Sequence, residues 1–236
     1  MMTSFRLKTL LTGICALILS ISVYAERDNK TCGIIPGEPL TNGYGPFDFT
    51  NPSHQKNLSM VLLAHFTSDV EKLTKGSTDT TPHGDIDYTL RAIPNYHRAL
   101  YAISKLDQRD RRQLKPEQVY RPRHYTAECY FKRALYMQPN DPISHMLYAM
   151  HLLHFKRTLE AEKQYLLAIE QQPNNPELNY NIGLFYADTG NLEVAKKYAT
   201  IAYSKGYPLD GLKRKIESLA QKNELIKKDV KKSANK

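Results

Sequence analysis

Residues 139–176 read PNDPISHMLYAMHLLHFKRTLEAEKQYLLAIEQQPNNP. The segment opens on Pro139-Asn140-Asp141-Pro142 and closes on Pro173-Asn174-Asn175-Pro176, the same turn 34 residues later. Extending the 34-residue frame outward aligns Ala127, Ala161 and Ala195, and also Ala134, Ala168 and Ala202. Ala149 falls opposite Gly183, and Leu152 opposite Tyr186. Small residues at fixed points let two antiparallel helices approach closely, and large residues between them fill the gaps to the next pair. A period of this length points to stacked helical repeats.

Tyr148, Ala149, Leu152, Ala161, Tyr165, Ala168 and Pro173 match one full repeat of the tetratricopeptide (TPR) consensus. Ile182, Gly183, Tyr186, Ala195 and Ala202 match the next. That second repeat departs from the consensus at Ala199, where an aromatic is usual, and at Tyr207, where the proline slips to Pro208. The chain thus resembles TPR proteins. The resemblance implies an all-α solenoid of antiparallel helix pairs with an extended concave surface suited to grasping peptides or proteins.

An earlier repeat is stretched. Pro94-Asn95-Tyr96 reads as the same turn, His97 to Leu106 as its first helix and Thr126 to Gln138 as its second. The extra length falls within Asp107 to His124, a basic loop containing prolines; such insertions cost little and often carry function. The repeat units are 94–141 with this loop, 142–175 and 176–207, followed by a capping helix and basic tail over 208–236. Residues 26–93 form an N-terminal extension with a degenerate helical repeat. Within it, Asn57 to Lys75 is expected to be helical with a break at His65-Phe66-Thr67. A short helix from Asp85 to Ile93 is expected to be capped by Asp85, and Gly33 to Ser53 should be irregular.

At the start, Arg6 and Lys8 precede an apolar run from Leu10 to Val23, then Val23-Tyr24-Ala25 and the charged Glu26-Arg27-Asp28. This is the order of a cleavable signal peptide over residues 1–25, with cleavage after Ala25. The run is short for a membrane span, and no second candidate follows. Two cysteines remain beyond it, Cys32 and Cys129. In a periplasmic or secreted protein an even count implies one disulfide. Neither has a second cysteine or a histidine at finger spacing, which argues against zinc.

The net charge of +9 is uneven: residues 213–236 carry nine lysines and arginines against Glu217, Glu224 and Asp229. Such a tail can contact anionic surfaces, but export argues against a nucleic-acid partner. No phosphate loop, GxSxG elbow, HExxH or haem-attachment motif is present, and neither a cofactor nor a metal is expected. His151 and His154 stand three apart on one helix, yet two ligands do not make a site.

Cys32-Gly33, Gly45-Pro46-Phe47-Asp48, His65-Phe66-Thr67, Asp87-Tyr88-Thr89-Leu90-Arg91, Pro94-Asn95, His97-Arg98-Ala99-Leu100 and Cys129-Tyr130-Phe131 carry a second likeness. Through them the chain is similar to a group of exported bacterial TPR proteins to which no reaction is attached. That likeness implies the architecture and a Gram-negative setting.

In the TPR family the inner helix of each repeat presents a stripe to the concave side. Carried onto this chain, it gives Arg98, Tyr101 and Lys105, then Ile143, Met146, Met150 and Leu153, then Glu177, Tyr180, Asn181, Leu184 and Asp188. The middle stripe leaves its helix apolar nearly all round, so Met146 and Met150 should be covered. The cover is either a partner's apolar segment with acidic flanks, or this chain's own segment around Phe47 to Leu63. A protein- or peptide-binding scaffold of the cell envelope is therefore expected, and not an enzyme. The alternative is a hydrolase or glycan-modifying enzyme with its site in the Asp/His-rich N-terminal segment, where His65, His97 and His124 would converge. Asp85, Asp87, Arg91 and Arg98 are read as ion pairs that dock this segment.

Overall fold

The computed structural model of the protein describes residues 30–234, apart from residues 80, 117, 119–121 and 123. The expected signal peptide lies outside the described residues. All regular structure among them is helical: a 3-10 turn at Pro52–His54, then α1 (Gln55–His65), α2 (Ser68–Glu71), α3 (Pro82–Ala92), α4 (His97–Gln113), α5 (Ala127–Met137), α6 (Pro142–His154), α7 (Thr158–Gln171), α8 (Pro176–Asp188), α9 (Leu192–Ser204) and α10 (Gly211–Ala234). None of these helices is long and apolar enough to cross a membrane.

The proline turns act as helix starts. Pro142 and Pro176 occupy first-turn positions of α6 and α8; Asp141 accepts a hydrogen bond from Ile143 N, and Asn175 from Leu178 N. Helices α6 and α7 form one hairpin, and α8 and α9 a second. Both members start 34 residues apart, at Pro142 and Pro176 and at Thr158 and Leu192. The two hairpin turns also correspond: Lys156 sits at φ +60° where the second turn has Gly190 at φ +85°. That left-handed position closes a helix end and costs a lysine more than a glycine. The aligned alanines, Ala127, Ala161, Ala195, Ala134, Ala168, Ala202 and Ala149, are all buried, at 2 % exposure or less.

From α4 onward the packing is serial. Each helix packs on the next in sequence, and α4 packs on α6, α6 on α8 and α8 on α10. Leu212 at the start of α10 seats on Gly183: a Cβ there would lie 2.5 Å from Leu212 Cδ2.

The N-terminal segment is irregular over residues 30–51 and docks on α3 to α5. Cys32 and Cys129 are joined, with Cα atoms 5.0 Å apart. Arg133 of α5 donates to Cys32 O at 3.1 Å, and Tyr136 Oη lies 2.9 and 2.8 Å from the carbonyls of Ile35 and Glu38. Asn95 bridges the two parts, donating to Asp48 Oδ1 at 2.7 Å and accepting from Phe49 N at 2.8 Å.

The boundaries differ from expectation in two places. Helix α3 starts at Pro82, and Asp85 does not cap it. Its carboxylate is fully buried and accepts from Ser77 N at 2.7 Å, Thr78 N at 3.1 Å and Thr78 Oγ1 at 2.5 Å, beside His65 Nδ1 at 3.0 Å. Burial opposes its charge, but the hydrogen bonds from Thr78, Ser77 and His65 outweigh it and hold the carboxyl below its usual range. Helix α4 runs on through Gln113, so part of the insertion lengthens the helix, because Asp107 and Gln108 are buried against the rest of the fold.

Candidate functional site

Helices α4, α6 and α8 together line a groove of about 310 Å³. From α4 come Tyr101, Ser104, Lys105 and Gln108; from α6, Leu147, Met150, Leu153 and His154; from α8, Asn181, Leu184, Phe185 and Asp188; Tyr165 of α7 completes the floor. Their spacings of three and four residues put each set on one helix face.

Five of the eight expected contact residues meet in this groove: Tyr101, Lys105, Met150, Asn181 and Leu184. The other three lie outside it. Arg98 donates from Nε to Glu71 Oε1 of α2 at 2.6 Å and makes a second contact with the same carboxylate. Met146 is 3 % exposed; α4 and α8 both pack on its helix, and Asn181 Nδ2 stands 3.5 Å from its sulfur. Tyr180 packs against Tyr207, with ring centroids 4.4 Å apart. The apolar stripe is thus covered at Met146 by the fold itself and open at Met150. The segment Phe47 to Leu63 does not supply the cover. Phe47 packs on Tyr44 and His54, Phe49 on Tyr96 and His97, and α1 on α3. Met60 and Leu63 of α1 face solvent.

The groove has an apolar floor with polar ends. Lys105 Nζ lies 5.5 Å from the centre of the half-exposed Tyr101 ring, a cation–π arrangement. His154 has a lowered pKa, first from burial and then from the repulsion of Arg112 and Lys105, with Asp107 acting the opposite way. At the other end Asp188 is paired with Lys215. Asn181 Nδ2 donates to Glu177 O at 2.9 Å. On the α4 wall of the groove, Ser104 Oγ accepts from Gln108 Nε2 at 3.2 Å and lies 2.9 Å from His151 Nδ1. Burial pushes the His151 imidazole down to about 4. Ser104, Gln108, Leu147, His154, Tyr165 and Phe185 were not anticipated here. The spacing of Tyr101, Ser104, Lys105 and Gln108 could have pointed to two of them.

The histidines of the N-terminal segment do not converge. His65 pairs with Asp85, His97 with Asp141 at 2.7 Å and His124 with Asp87 at 3.5 Å, in separate places. Asp87 also pairs with Arg91 at 3.0 Å and accepts from Tyr130 Oη at 2.6 Å. The expected docking contacts are thus made in separate places: Asp85 meets His65 of α1, Arg98 meets Glu71 of α2, and Arg91 donates to Asn42 Oδ1 at 2.7 Å. Among the described residues no group of three or more His, Cys, Asp or Glu could hold a metal ion. A second cavity of about 300 Å³ is lined by Thr81, His83, Asp107, Asp110, His124 and Tyr125 with Ile103, Leu106, Pro122 and Ala127. There His83 Nε2 lies 2.6 Å from Asp110 Oδ2.

Compared with known proteins, the chain matches no family model and no curated protein.

Proposed function

We propose that the protein is a TPR-type binding module of the cell envelope, reaching the periplasm through its signal peptide. It holds an extended peptide segment of a protein partner in the groove of α4, α6 and α8. The observation that carries this reading is the lining itself. Three alternate helices of a serial stack supply one lining, mainly apolar on α6 and mixed on α4 and α8, as the inner helices of a solenoid do. The 34-residue step of the two hairpins supports the repeat type, and the Cys32–Cys129 bond suits an oxidising compartment. The segment's apolar side chain sits on Met150 and Leu184, whose flexible shapes adapt to it. An acidic group beside it meets Lys105.

Met150→Glu with Leu184→Glu is the variant that tests this, since Met146 is buried and its replacement would unfold the protein. Purified protein is incubated with crosslinked envelope extract. The wild type should retain a specific protein, and the double variant should lose it at least tenfold while still folding, with a cooperative melt lowered only modestly because both side chains also pack on the core. Equal retention by both would remove the groove from the account.

The His83–Asp110 pair favours one second reading. A histidine oriented by a carboxylate inside a cavity is half of a general base, so an envelope hydrolase acting through a bound water would sit there. Turnover of an envelope glycan without a protein partner, abolished by His83→Ala, would support that reading against the binding module.

A further inference from the structure

Helix α10 leaves the fold part-way along its length. Leu212, Ile216, Leu219, Asn223, Ile226 and Val230 are spaced alternately four and three residues apart, a single narrow stripe of coiled-coil type. Its first half is core: Leu212 is buried on Gly183, and Ile216 packs on the cluster of Tyr180 and Ala199. Its second half is open: Ile226 is 51 % and Val230 62 % exposed. An open cleft of about 800 Å³ separates this half from the start of α9. The cleft's charges are already matched, since Lys196 pairs with Glu193 at 3.1 Å and Lys227 with Glu224 at 3.5 Å.

Two opposite charges remain beside the stripe. Lys222 and Asp229 are seven residues apart and therefore lie on the same edge of it. The ion pairs that α10 makes within the chain run through Arg214, Lys215 and Lys227, and among the described residues neither Lys222 nor Asp229 is in one. The other lysines beyond Lys227 fall on outer positions of the pattern.

This half of the helix complements itself when it is turned end for end. With Asn223 set opposite Ile226 of a second, antiparallel copy, Leu219 falls opposite Val230 of that copy. In this register Lys222 stands beside Asp229 of the second copy, and the symmetry makes every contact twice. On the other edge Lys227 lies along Ala220 of the second copy, with no like charges opposed. The two Asn223 amides fall in adjacent layers, about 4.5 Å apart along the axis, where each offers the other a polar partner and fixes the register. A parallel copy fits neither by charge nor by shape. It would set Lys222 against Lys227 on both edges, and it would bring the two folds together at the end where the stripe is already core. The antiparallel arrangement leaves the folds at opposite ends of the helix pair. Self-complementarity of one patch is what a two-fold contact requires.

We propose that two copies of this chain associate through the free halves of their α10 helices, antiparallel, about a two-fold axis between Glu224 and Leu225. The start of α9 walls one side of each incoming helix. The overlap, residues 219–230, is about 18 Å long. That is near the lower limit of about 1,000 Å² for a specific interface, so the dimer is weak and concentration-dependent. The surface is separate from the groove and does not depend on the reading given to it.

Sedimentation equilibrium of the purified protein at up to about 0.5 mM should show monomer and dimer in exchange. Lys222→Asp places like charges at both Lys–Asp contacts and should weaken the dimer at least tenfold. Asp229→Lys should do the same. Mixed in equal amounts, these two variants regain opposite charges at both contacts and should associate with each other as tightly as the wild type with itself. Ile226→Glu should abolish association. All three side chains are exposed, so the melting temperature of the monomer should not change. The groove variant Met150→Glu with Leu184→Glu should dimerise as the wild type does. A monomer at every concentration would overturn the proposal. So would a dimer strengthened by Lys222→Asp, which would be parallel, a dimer indifferent to Ile226→Glu, or a mixture of the two charge variants that stays monomeric.

Discussion

Replacing Cys32 and Cys129 together by serine should lower the protein's stability by up to about 4–5 kcal/mol, the chain-entropy value for a loop near 100 residues. The bonded residues are 97 apart in sequence. Residual structure in the unfolded chain reduces the effect, so a loss of about 2 kcal/mol or more is the expected result in urea unfolding. The loss should fall first on residues 30–49, which are also held by Arg133, Tyr136 and Gln138 of the α5 region and by Asn95 before α4. Thiol labelling of the unreduced, denatured protein should find no free thiol at positions 32 and 129. Two labelled thiols would contradict the linkage.

Acid should destabilise the protein in two steps, and the first belongs to His151. Its pKa is lowered by burial to about 4, below the unfolded value near 6.5. Between these values the unfolded chain binds a proton that the folded one refuses. Stability is therefore complete above pH 6.5 and falls as pH drops toward 4, by about 3 kcal/mol in total. His151→Gln keeps a partner for Ser104 and should flatten that slope. The carboxylates titrate later. Asp85 and Asp141 lie below their usual range, and Glu128 at about 2, because hydrogen bonds and cations outweigh their burial. Their contributions are present above the unfolded carboxylate range and disappear only below about pH 4. Urea unfolding at pH 7, 5.5 and 4 separates the steps. An unchanged slope in the variant would show that His151 is not the group responsible.

The 34-residue step of the two hairpins was legible because its signals are local. An Asx side chain before a proline caps the helix it precedes, so Asp141-Pro142 and Asn175-Pro176 mark α6 and α8 without help from the rest of the chain. The disulfide was legible from parity, since two cysteines follow the expected cleavage site. What was missed depends on distant neighbours. Asp85 looked like a cap, but its partners are the loop residues Ser77 and Thr78 and, across the fold, His65. Helix α4 outran its expected end because burial of Asp107 and Gln108, which local periodicity does not reveal, carries it into the insertion. In the groove, periodicity placed Met146 and Met150 on one stripe. Which of them stays open depends on where α4 and α8 pack against α6. The His83–Asp110 pair joins residues of two helices, and only the packing of α3 on α4 brings them together.

The binding role of the groove is tested most directly by photocrosslinking in the living cell. A benzophenone amino acid is placed at Leu184 in the groove or at Leu166, which lies exposed on α7 outside it. The groove position should yield a discrete adduct with one envelope protein, competed away by a peptide from that protein's crosslinked segment, and the α7 position should yield none. Equal labelling from both positions, or no adduct from the groove, would contradict the assignment of α4, α6 and α8 as the surface through which this protein acts.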